Sequence, residues 1–135
     1  MQENESRPGN QEFYHLEVWK KSRLLRNKAI MTADGFPNKE KYDLGDQVKR
    51  AARSVTACIA EGHGRFTYKD QVHFCIIARG SLSELLNHFI DAFDQHYIDK
   101  STLVVLKQNI FEVHRLLNGY ISYLKTKLDN NRKKG

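Results

Sequence analysis

Apolar positions recur every three or four residues from Phe13 almost to the carboxyl end, and no stretch gives a strand signal. The cleanest run is Leu44, Val48, Ala52, Val55 and Ile59, spaced four, four, three and four, which draws a single stripe along one helix. Asp43 stands before it as a candidate N-cap, and Gly62 and Gly64 end it. A helix before this one is predicted from about Glu12 to Asp34, with Leu16, Trp19 and Leu24 on its apolar side. Gly35-Phe36-Pro37 stops it, because the glycine is followed by a proline that cannot continue the turn.

A third helix opens at Thr67, with Asp70 three residues on, close to a capping box. Its apolar face is broad: Cys75, Ala78, Leu82, Leu85, Leu86, Phe89 and Phe93. Ser101 is placed to cap a fourth helix, in which Leu103, Leu106, Ile110, Val113, Leu117, Tyr120 and Leu124 alternate by three and four. That alternation is the seam of shallow, left-handed helix packing. Four helices on short connectors predict an all-α fold, an antiparallel up-down-up-down four-helix bundle over residues 13–128. Residues 1–12 form a polar lead expected to be disordered, and residues 129–135 a mobile basic tail.

The last two helices hold more apolar residues than one buried stripe requires: Ile76, Ile77 and Ile90 on one, Val104, Val105, Phe111 and Ile121 on the other. The surplus points to a second buried surface and hence to self-association; broad faces on the central helices of a bundle are the alternative. Gly80 and Gly119 sit in mid-helix, where each costs about 1 kcal/mol relative to alanine. Close approach of another helix would offset that cost.

Composition narrows the setting. The 135 residues make one domain, large enough for a real core. The apolar runs are too short to cross a bilayer and the amino end has no signal region, so no membrane association is expected. Cys58 and Cys75 lie on apolar helix faces without a CxxC, as reduced core thiols of a cytoplasmic protein would.

Reactive constellations are missing from the sequence. A di-iron bundle needs two Glu-x-x-His pairs, and Glu12-Phe13-Tyr14-His15 is the only one; the six histidines never fall in HxxxH spacing. No metal or other cofactor is expected. Ser81, Glu84 and His88 share one helix face, whereas the members of a nucleophilic triad converge from different directions. Glu84 and His88 are better read as an i, i+4 hydrogen-bonded pair, and the protein as no enzyme. Glu61, next to Gly62, looks buried at a helix end where negative charge opposes the macrodipole. Arg65, Arg53 or a lysine of the first helix is the expected partner.

Charge carries the remaining signal. Twenty-two lysines and arginines face 16 acidic residues, net +6. Residues 66–100 hold three basic and five acidic side chains, residues 101–135 seven and two. Lys49, Arg50 and Arg53 lie opposite the stripe of the second helix, and the first helix adds Lys20, Lys21, Arg23, Arg26 and Lys28. Lys125, Lys127, Arg132, Lys133 and Lys134 make a second basic patch. Such patches are either solvated surface or the footprint of a phosphate backbone, and repetition around an oligomer would favour binding.

Four segments carry a resemblance: Leu16-Glu17-Val18-Trp19-Lys20, Gln47 to Val55, Ile59-Ala60-Glu61-Gly62, and Ala78-Arg79-Gly80-Ser81-Leu82-Ser83-Glu84-Leu85. Together they resemble the bacterial four-helix-bundle proteins encoded in intervening sequences of 23S ribosomal RNA genes. That family is not a known enzyme family. It is similar to the accessory proteins of diversity-generating retroelements, basic five-fold barrels that bind nucleic acid and a reverse transcriptase. The resemblance therefore implies a homo-oligomeric ring, a pentamer by that analogy, while Glu61, Gly62, Gly80, Ser81 and Glu84 are expected from their own positions to be structural. Two functions remain open: a non-catalytic oligomer that binds RNA or DNA by non-specific backbone contacts, or a protein–protein scaffold or accessory subunit for a nucleic-acid enzyme.

Overall fold

The structure, a computed structural model, describes residues 12–134. The predicted lead, residues 1–12, lies outside the described residues except for Glu12. A 3-10 turn at Phe13–His15 precedes α1 (Glu17–Asp34); a second, at Asn38–Glu40, leads into α2 (Leu44–His63), followed by α3 (Tyr68–Asp94) and α4 (Lys100–Lys134). No strand occurs among the described residues. Each of α1 and α3 packs on both α2 and α4, and neither diagonal pair packs directly, which is the square plan of a four-helix bundle. Along the α2–α3 seam Gly62 faces Gln71 and Phe74, while Ser54, two turns back, meets Ser81, further on. Going backward along α2 is going forward along α3, as an antiparallel pair requires. The cross-contacts Arg79–Asn118 and Lys21–Glu112 fit the same alternation at α4.

The stripe of α2 is buried from Leu44 to Ile59, and Leu82, Leu85, Phe89, Leu106, Leu117 and Leu124 complete the centre of the core. Each large side chain so buried contributes about 1.5–3 kcal/mol. Two assignments shift. Ile121, predicted as surplus, is 3% exposed and belongs to the core, with Tyr120 on its flank. On α1 the inward stripe is Val18, Ser22, Leu25, Ala29 and Ala33, whereas Leu24 is 62% exposed and Leu16 and Trp19 are only partly buried. Small residues carry this stripe, and Ser22 joins it because its hydroxyl donates to the Trp19 carbonyl at 2.9 Å.

The helix ends follow local chemistry that periodicity alone does not resolve. Thr67 accepts from the Asp70 amide at 3.1 Å, as predicted. Asp43 makes no side-chain cap bond; instead Glu40 accepts from the Leu44 amide (3.4 Å) and from the Tyr97 hydroxyl (2.7 Å). Hydrogen bonding to that carboxylate raises the pKa of Tyr97. The α4 cap is Asp99 rather than Ser101: its carboxylate accepts from the Thr102 amide at 2.8 Å and the Ser101 hydroxyl at 3.0 Å, bonds that hold it below the usual carboxylate range. The α3–α4 turn closes without glycine, with His96 in the left-handed region (φ 65°) and the Tyr97 amide donating to the Ala92 carbonyl at 2.8 Å. Beyond it, α4 runs straight through the segment predicted as a tail. Its 35 residues span roughly 52 Å, against about 40 Å for α3, so the basic end is a helical extension.

Candidate nucleic-acid interface

Side chains at 50, 53, 57 and 61 share the outward arc of α2 because the opposite arc is taken up by the core stripe. Arg50 and Arg53 stand on that arc, exposed, their guanidinium groups without an ion pair among the described residues. Lys49 does not join them. Its ammonium is 2.6 Å from Asp34 Oδ1 with the side chain only 22% exposed, so it tethers the start of α2 to the end of α1. The open face of α2 thus offers two of these cations, not three.

The second predicted patch lies on the α4 extension. Lys125, Arg132 and Lys133 are exposed along it, and Lys134 ends the helix. Lys127 is half-buried, its ammonium 5.5 Å from the Tyr123 ring, which itself stacks on Tyr120. Burial raises the pKa of Tyr120. Because α2 and α4 occupy diagonal corners, the chain does not merge Arg50 and Arg53 with this basic end.

The residues given structural roles divide sharply. Glu61 is exposed, contrary to its buried look in the sequence, but Arg65 does hold it at 2.7 Å. The same guanidinium lies 4.6 Å from the Phe74 ring, and the Arg65 carbonyl accepts from Gln71 Nε2 at 3.0 Å, so the pair ties the end of α2 to α3. Gly62 lies inside α2 rather than ending it: a Cβ there would meet Phe74 Cβ at 2.9 Å and the Gln71 carbonyl at 3.2 Å. Ser81 is buried and donates to Ser54 Oγ at 2.9 Å; Ser54 in turn lies 3.8 Å from Cys58 Sγ. Burial, and then Cys58, push the Cys75 thiol up to about 12. Glu84 and His88 form the predicted pair at 3.2 Å, with His88 mostly buried. A Cβ at Gly80, by contrast, would meet nothing within 4 Å among the described residues outside its own turn of helix, and one at Gly119 would be equally free.

Two features escape a reading by periodicity. Arg79 Nη1 donates to Asn118 Oδ1 at 3.0 Å, bridging α3 and α4 beside the two open glycines. Trp19, assigned by its spacing to the core side, lies at the edge of α1 with the Arg23 guanidinium 5.8 Å from its ring. The four-residue spacing of Trp19 and Arg23 is the one signal of that contact in the sequence.

Comparison with known proteins adds three findings. The pattern of the family described as 23S rRNA-intervening sequence protein matches residues 14–119. The chain is similar to a crystal structure from Bacteroides thetaiotaomicron VPI-5482, described as a protein with unknown function from the S23 ribosomal protein family. That similarity has a TM-score of 0.72 at 20% identity and covers 77% of this chain and 97% of the other, which establishes a common fold. No curated protein matches.

Proposed function

The chain belongs to the 23S rRNA-intervening sequence protein family, and we propose that it is a non-catalytic, homo-oligomeric cytoplasmic protein that binds the backbone of RNA or DNA through a basic surface. The observation that carries this reading is the contrast on α2: Lys49 is neutralised by Asp34, while Arg50 and Arg53 are exposed without an acidic partner among the described residues. Guanidinium groups so placed suit phosphate oxygens. Self-association is supported by the α3–α4 side chains Ile76, Ile77, Ile90, Val104, Val105 and Phe111, which are between 38% and 54% exposed. A closed ring of copies, five by the resemblance to retroelement accessory proteins, would cover that surface and turn two weak cations per protomer into a multivalent array.

Fluorescence anisotropy with labelled RNA and DNA across a salt series tests the reading. Affinity falls steeply with salt, and an Arg50→Ala/Arg53→Ala variant binds every sequence more weakly, with a log–log slope flatter by up to about two per protomer engaged. Absence of binding at low salt overturns it. A second reading, a scaffold or accessory subunit for a nucleic-acid enzyme such as a reverse transcriptase, is favoured by the same exposed apolar surface. Light scattering separates them: a monodisperse species of about 16 kDa leaves that surface free for a different protein, whereas a ring consumes it.

A further inference from the structure

We propose that the amino-terminal edge of α1 carries a second, distinct site, a stacking groove for an unpaired nucleobase of single-stranded RNA or DNA. The inference rests on the nucleic-acid reading but uses none of its residues. Tyr14, Trp19, Lys20, Arg23, Leu24 and Asn27 line an open groove of about 530 Å³, a size suited to one nucleotide. Two of these residues are aromatic, two are cationic and none is acidic.

The rings are held in place before any ligand arrives. Phe13 meets Trp19 edge-on at 5.3 Å and Tyr14 edge-on at 5.4 Å, acting as a wedge between them. Tyr14 remains 48% exposed, and Leu24, 62% exposed, extends the apolar floor. The Arg23 guanidinium lies over the Trp19 ring, 5.8 Å from its centroid, and the neighbouring Arg26 guanidinium is fixed by Asn27 Oδ1 at 3.1 and 3.2 Å. This is the combination that single strands require: the exposed Tyr14 ring as a π-face for the base, the cations Lys20 and Arg23, the latter over the Trp19 ring, for the flanking phosphates, and sequence tolerance because every base offers a face to stack. A duplex hides those faces, so it does not compete for this groove. The phosphate-only contacts expected of the α2 face supply no such preference.

Trp19 is the single tryptophan of the chain, so indole emission reports this groove alone. The full-length protein is titrated with fluorescein-labelled oligo(U), oligo(dT) and a mixed-sequence duplex, reading anisotropy and Trp19 emission together. Both single strands are expected to quench Trp19 and the duplex to leave it unchanged; a response to one of the two strands alone assigns the site to RNA or to DNA. Tyr14→Ala, at an exposed ring, weakens single-strand binding by at least about fivefold and leaves duplex binding intact. Arg50→Ala/Arg53→Ala weakens duplex binding while single strands still quench. Binding seen by anisotropy with Trp19 emission unmoved, or equal quenching by duplex and single strands, overturns the groove and spares the basic face. No binding of any strand overturns both.

Discussion

Along the α2–α3 seam glycine is required by the chain itself: a Cβ at Gly62 would stand 2.9 Å from Phe74 Cβ and 3.2 Å from the Gln71 carbonyl. On the outer side of α3 and α4 the same residue type has no such reason. A Cβ at Gly80 or Gly119 would meet nothing within 4 Å among the described residues outside its own helix, and the hydrogen bond between Arg79 and Asn118, the residues just before them, puts both glycines at one level of adjacent helices. The seam around Gly62 is finished with small and hydroxylic groups, Ser54, Cys58, Cys75, Ala78 and Ser81. The outer surface is left with half-exposed isoleucines and two glycines with open space where a Cβ would stand. One glycine is explained by the fold; no contact among the described residues explains the other two.

Substitution at the seam has the largest expected effect. Gly62→Ala forces α2 and α3 apart, because the obstructing atoms are a backbone carbonyl and a Cβ rather than the far end of a flexible chain. Overpacking of this kind costs about 1–3 kcal/mol, read as a lower midpoint in urea unfolding. An unchanged midpoint would mean that the seam yields, and the contrast with the outer glycines would collapse.

The outer pair moves the other way. Gly80→Ala and Gly119→Ala each add a Cβ in open space and remove backbone freedom from the unfolded chain, for a gain of about 0.5–1 kcal/mol apiece. The doubly substituted protein should unfold at higher urea and, by light scattering, assemble more weakly. A gain in stability with the oligomeric state unaltered separates these glycines from assembly.

The same contrast marks how far the sequence was legible. Stripes of large apolar residues on α2, α3 and α4 were readable because leucine, isoleucine and phenylalanine have few stable places other than the core. The α1 stripe was misplaced by one residue because Ser22, Ala29 and Ala33 carry little hydropathy, and their inward position depends on how closely a neighbour can approach. Two of the predicted helix caps moved for a related reason: Asp43 and Ser101 fit the local pattern, but Glu40 and Asp99 reach the open amides once the turns are formed. Lys49 looked equivalent to Arg50 and Arg53 until Asp34, from another helix, came within 2.6 Å. The Trp19 groove depends on Phe13 folding back in a 3-10 turn, a conformation that periodicity does not encode.

A smaller effect is expected at the start of α4, where the contacts are local and solvent-exposed. Asp99 is held below the usual carboxylate range by hydrogen bonds from Thr102 and Ser101, so its charged form is the stabilising one. Its contribution is present above the ordinary aspartate pKa of about 3.9 and is lost as pH falls through the lower, folded value. Asp99→Ala should lower the melting temperature near neutral pH, and the gap from the parent should close on acidification below about pH 4. A gap independent of pH would show that the cap does not depend on the charge of Asp99.

The smallest effect belongs to Glu61, one residue from Gly62 on the exposed rim of the same seam. Its carboxylate accepts from Arg65 at 2.7 Å, four residues on, with both side chains about half exposed. An i, i+4 pair of this kind is worth about 0.3–0.5 kcal/mol and is screened by salt. Glu61 also sits near the carboxyl end of α2, where a negative charge opposes the helix dipole, which trims the gain further. Arg65, however, also lies 4.6 Å from the Phe74 ring, so releasing it loosens the contact between α2 and α3. Glu61→Ala should therefore lower the melting temperature slightly at low salt, lose that difference near 1 M salt, and leave nucleic-acid affinity unchanged. If the loss persists at high salt, the ring contact rather than the charge pair is what Glu61 supports, and Arg65→Lys, which keeps the charge but cannot stack as a plane, should reproduce it.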